Sequence, residues 1–272
     1  MTTGAAATAR ARANGRPQAR RRLAVLVALA RSDLRFRYGR GPARVLKWLL
    51  DPYAATGIYL LLIAFVLNRP GAAPGLSLAC AVVPFHLVVS TVVNALSAID
   101  RRHSVILNMA FDRMLIPVAS TATEAVAFAA SLTLIPAMMI AYGIAPTMAI
   151  LWTPVLTAVT ALFAVSLAFP AAIFGLWFYN VRNVAVSVVR AFFFLAPGLV
   201  PLAQIHGNMR TLFEVSPLTG LFESYRAVFL FGRSPSALDL GVPLAAAALL
   251  LALFVPLYRL EQTQLAKIVE IE

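Results

Sequence analysis

The chain carries its apolar residues in long, nearly unbroken blocks, and these blocks predict its elements. Six runs are long enough to cross about 30 Å of hydrocarbon, which takes about 20 helical residues. They lie near 45–67, 76–99, 115–142, 147–176, 184–204 and 238–259. Ahead of them the pattern changes. Leu23, Leu26, Val27, Ala30, Leu34 and Tyr38 fall on one helical stripe, with Arg31 and Arg35 beside it. That periodicity predicts an amphipathic helix lying on a membrane surface. Gly39-Arg40-Gly41-Pro42 ends it. Residues 1–22, rich in Ala, Arg, Gly and Thr, read as a disordered basic arm, and residues 23–272 as one membrane domain. The segment between the fifth and sixth runs is more polar. Ser216-Pro217 there precedes Glu223 and Arg226 at i, i+3 spacing.

Composition sharpens this into an all-α integral membrane protein. The chain is 61% hydrophobic and 12% charged, against about 45–50% and about 25% for a soluble domain. The net charge of +12 is unevenly placed: 12 of the 23 Lys and Arg lie in residues 1–47, opposed there by Asp33 alone. A basic arm before a first span predicts a cytoplasmic N-terminus, and argues for membrane lipids rather than nucleic acid as its partner. Six crossings return the C-terminus to the same side. Arg101, Arg102, Arg113, Arg182, Arg259 and Lys267 then fall in inner segments, as inside-positive charge requires.

The chemistry of an enzyme is missing from the pattern. A phosphate-binding P-loop needs Gly-Lys-Ser/Thr, and neither Lys47 nor Lys267 has that context. His86, His103 and His206 are dispersed, so no metal set is predicted. Cys80 is the single cysteine, which excludes an intrachain disulfide and a cysteine metal cluster. No Ser sits in a Gly-x-Ser-x-Gly turn.

The order of segments resembles the membrane subunit of an ABC-2 type exporter, in the branch that exports capsular polysaccharide, O-antigen or teichoic acid. The resemblance runs over about residues 23–265. It rests on "RSDLRFRYGRG" closing the amphipathic helix, "VPFHLVVS" in span two, the inner loop "DRRHSVILNMAFDRMLIPVASTATE", "GLWFYNVRNV" after span four and "SPLTGLFESYR" between spans five and six. Three departures mark it: Ser216 stands where the family usually has Asn, Asn180 and Asn183 vary the loop after span four, and His86 lies near a usual Trp.

The resemblance implies a homodimer in the plasma (inner) membrane, with both termini cytoplasmic. It implies two separate ATPase subunits that bind ATP and Mg, no cofactor in this chain, and a lipid-linked glycan as substrate. A coupling helix would lie within 100–114, and short re-entrant helices within 202–236. Arg101, Arg102, Asp112 and Arg113 are then candidates for docking the ATPase, or simply inside-positive flanks. Glu223 and Arg226 are candidates for an outer gate, or an ordinary intrahelical pair. Glu124 lies deep in span three, where an isolated carboxylate is costly; it either meets Arg190, is protonated, or contacts substrate. Phe192, Phe193 and Phe194 are candidates for lining the path, although three consecutive residues spread around a helix. Other readings are an ABC-2 drug or lipid exporter, and a six-span enzyme acting on polyprenyl-phosphate lipids. That enzyme would need clustered Asp, Arg or His on one membrane face, and the inner loops hold only a few such residues, without a metal-binding acidic pair.

Overall fold

Helices account for all the regular structure among the described residues. The structure, a computed structural model, describes residues 20–35, 73–102, 112–178, 182–199, 201–202 and 208–269, with isolated positions between 50 and 61. α1 spans residues 20–35. It is followed by α2 (Pro74–Leu96), α3 (Leu115–Ser131), α4 (Leu134–Ala141) and α5 (Thr153–Trp177). α6 (Arg182–Leu195), α7 (Asn208–Glu214), α8 (Pro217–Phe229) and α9 (Ala237–Val269) complete the order. Basic arm residues 1–19, most of the expected first span at 45–67, and residues 103–111 of the expected coupling segment lie outside the described residues.

Among the described residues, four stretches are long and apolar enough to cross a bilayer: Pro74–Leu96, Leu115–Ala141, Met148–Trp177 and Ala237–Glu261. They match the second, third, fourth and sixth predicted runs. α3 and α4 make one such stretch, joined through Leu132 and Thr133. The fifth run is seen only in part. The expected span 184–204 is helical only to Leu195, and the 14 residues of α6 fall short of a full crossing. Pro197 and Pro201 explain the stop, since each disfavours helix in the residue before it and lacks an amide donor.

α2 is the centre of the bundle. Of its most apolar window 83% is buried, against 11% for α9. It packs on α5, α3 and α8, while α9 lies outside against α5 and α8. Small residues make the close crossings possible. A Cβ on Gly175 of α5 would collide with the Leu96 carbonyl of α2, and one on Gly220 of α8 would sit 2.5 Å from the Asp239 carbonyl of α9. Three buried hydroxyls of α3 are spent within their own helix: Ser120, Thr123 and Ser131 donate to the Ile116, Ala119 and Ala127 carbonyls at 3.2, 2.9 and 3.0 Å. Pro84 and Pro170 sit inside α2 and α5, as packed membrane helices permit.

The predicted stripe of α1 divides. Leu26, Ala30 and Leu34 are half-buried on the protein side, joined by Leu29 and Asp33, whereas Leu23 and Val27 are 60% and 40% exposed. The apolar residues alone do not define the docking face, because an acid takes part in it.

Candidate functional site

Polar side chains gather at two places in this apolar bundle. One is the end that carries α1 and the chain between α2 and α3. The other is the segment between α6 and α9.

At the first, α1 is tied to both described edges of the α2–α3 connection. Asp33 accepts a charged hydrogen bond from Arg102, which follows α2 in a short 3₁₀ turn, Asp100–Arg102. The pair is almost dry, with side chains 16% and 4% exposed. Burial pulls the Arg102 guanidinium down from its ordinary pKa and Asp33 opposes that shift; an arginine so placed stays charged. Arg102 also reaches the Ile116 carbonyl of α3 at 3.4 Å. A looser pair, Arg22 with Asp112 at 3.1 Å, joins the start of α1 to the start of α3. Asp112 also accepts from the Met114 amide at 3.2 Å, satisfying one of the free donors at the helix start.

Arg101 turns back onto α2, donating to the Asn94 carbonyl at 2.7 Å and the Asn94 Oδ1 at 2.6 Å. The Asn94 amide in turn donates to Glu124. An Arg–Asn–Glu relay thus runs from the exposed end into the core, where Glu124 is buried. Asn94 is one partner of Glu124, and Arg190 stands at an exposed position of α6. Tyr258 of α9 donates to the Arg113 carbonyl at 3.4 Å. Of the four loop candidates, Arg102 is therefore committed inside the chain, Arg101 is exposed, and Asp112 and Arg113 are half-buried.

At the second place, Arg226 is fully buried and Glu223 nearly so, 2.8 Å apart. Arg226 also donates to the Pro197 and Gly198 carbonyls at 3.0 and 2.8 Å, and to the Ser77 Oγ of α2 at 3.1 Å. Glu223 accepts from the Leu202 amide at 2.9 Å. The pair supplies partners to backbone groups set free where α6 breaks, so two charges within an apolar bundle are each used. It pins the break, α8 and α2 to one another.

The three phenylalanines separate as consecutive helical positions must. Phe193 is buried, with its ring 5.0 Å from Phe85 and 6.1 Å from Phe222. Phe192 and Phe194 remain 46% and 56% exposed. No group of His, Cys, Asp and Glu among the described residues is arranged to hold a metal ion.

Sequence reasoning missed Asn94 and Asp33. Each had a signal: Asn94 is a lone amide in an apolar run, and Asp33 is the one acid among twelve cations.

No family model matches the chain. Relatives do. It is 26% identical over 230 residues to the O-antigen export system permease protein RfbA of Myxococcus xanthus, covering 84% of this chain and 88% of that protein. Two O-antigen export system permease proteins RfbA of Klebsiella pneumoniae are 22% identical, over 209 and 211 residues; each match covers 76% of this chain and 81% of the relative. The resemblance to permeases of the polysaccharide-exporting ABC-2 type is thus borne out over most of the length. With four helices able to cross a bilayer and these relatives, the chain is a multi-pass membrane protein similar to the O-antigen export permeases.

Proposed function

We propose that this chain is the permease subunit of an ATP-driven exporter that moves a lipid-linked or lipid-anchored polysaccharide across the plasma membrane. The observation that carries the reading is the likeness to O-antigen export permeases across most of both chains. Two copies pair around the path, and each binds a separate ATPase subunit. The chain adds two spans to the four seen: residues 45–67, and a fifth begun by α6 and completed by the segment after its break. α7 and α8 dip into the outer leaflet as short helices, and both termini are cytoplasmic. α1 lies on the inner surface, where Leu23 and Val27 face the lipid.

The ends of the α2–α3 connection are the contact with the ATPase. Arg101 and Arg113 reach the partner, while Arg102 and Asp33 hold α1 against that connection so that motion there passes to α1 and α2. The absence of a P-loop in the 272 residues supports the need for a separate ATPase. Purification with and without the nucleotide-binding protein, followed by phosphate release, tests this. Hydrolysis is expected only in the complex, and Arg101→Glu or Arg113→Glu should lower both complex yield and rate. Robust hydrolysis by this chain alone would refute the proposal.

A further inference from the structure

A cleft of about 420 Å³ lies beside α1, between the start of α3, Phe169 of α5 and Arg259 of α9. Its walls include Leu115, Val118 and Phe169, and its rim carries Arg22, Asp112 and Arg259. Arg22 shares its charge with Asp112 across 3.1 Å, both of them open to solvent in part. Arg259 is exposed, and no ion pair to it is found among the described residues. The rim therefore holds two guanidiniums against one carboxylate. Arg259 also stands at the end of the apolar stretch Ala237–Glu261, the depth at which headgroups lie.

These features select a kind of ligand. A free ion would gain nothing from the apolar wall. A wholly apolar ligand would gain nothing from two arginines. A molecule with a phosphate head and a hydrocarbon tail uses both, because guanidinium presents paired donors to phosphate oxygens. We infer that this cleft binds an anionic phospholipid, its phosphate on Arg259 and Arg22 and one acyl chain along Leu115, Val118 and Phe169. The membrane's own anionic lipid is the occupant because it bathes the rim continuously at high concentration. Asp112 competes with it for Arg22, so lipid occupancy loosens one of the two ties between α1 and the α2–α3 connection. The binding claim needs only the bilayer setting and stands apart from the transport reading.

The test uses the full-length protein in detergent, titrated with short-chain phosphatidylglycerol or phosphatidylcholine, with bound lipid counted by native mass spectrometry. Phosphatidylglycerol should bind preferentially. Arg259→Gln should weaken it about fivefold, the size of one surface arginine's attraction to an anionic lipid. Asp112→Asn should strengthen it by freeing Arg22. Val118→Trp, which fills the cleft without changing charge, should remove it. Equal affinity for the two lipids would overturn the inference. So would a preference that survives both Arg259→Gln and Val118→Trp, since the basic residues at large would then be its source. Binding of a polyprenyl phosphate but not phosphatidylglycerol would also overturn it, by assigning the cleft to the lipid of a substrate.

Discussion

Asp33 and Arg102, 69 residues apart in the sequence, meet in a nearly dry ion pair that fastens the surface helix α1 to the end of the central helix α2. Removing one partner of such a pair leaves the other charge buried and unmatched, which costs about 3–5 kcal/mol. Asp33→Asn should therefore lower thermal stability clearly in detergent. Replacing both by apolar residues, Asp33→Leu with Arg102→Met, should recover most of that loss. Equal destabilisation by the single and the double variant would show that the pair does not act as described.

Arg226 offers a second test of stability. Its guanidinium serves the Pro197 and Gly198 carbonyls together with Ser77 and Glu223. Arg226→Met strips those acceptors at about 1–3 kcal/mol each. Arg226→Lys keeps the charge but not the planar fork, and should recover only part. Hydrogen exchange at residues 198–202 should rise sharply in the Met variant and moderately in the Lys variant. Unchanged exchange in both would mean that the break is held by something else.

The sequence makes the long spans legible and the polar ties obscure, for a physical reason. A run of about 20 apolar residues states its own need for a bilayer, so α2, the α3–α4 stretch, α5 and α9 could be read without tertiary information. A guanidinium bonded to backbone carbonyls leaves no such trace. The acceptors of Arg226 at Pro197 and Ser77 are 29 and 149 residues away, and any residue type can supply a carbonyl. Residues Glu223 and Arg226 could be paired by spacing, yet their attachment to the broken helix could not. The early end of α6 was signalled by Pro197 and Pro201, but prolines are tolerated elsewhere in this bundle at Pro84 and Pro170, so their presence alone did not mark a break.

Topology is open to test as well. If both termini are inside, as proposed, Ser216 and Ser234 face outward. In a Cys80→Ala background, cysteine at Ser216 or Ser234 should react with an impermeant reagent in intact cells, since Cys80 itself is buried and contributes nothing structural as a disulfide. Cysteine at Ala5 or Ala266 should react only after the membrane is opened. The reverse pattern would invert the orientation.

As proposed, the chain forms the path for a lipid-linked glycan when driven by a separate ATPase. Reconstitution in proteoliposomes with the nucleotide-binding protein and a labelled lipid-linked polysaccharide tests it most directly. ATP added on the ATPase side should carry the label across the bilayer, with no transfer when either protein or ATP is left out. ATP-driven efflux of a small amphipathic drug, with the glycan left in place, would instead make this chain a drug exporter.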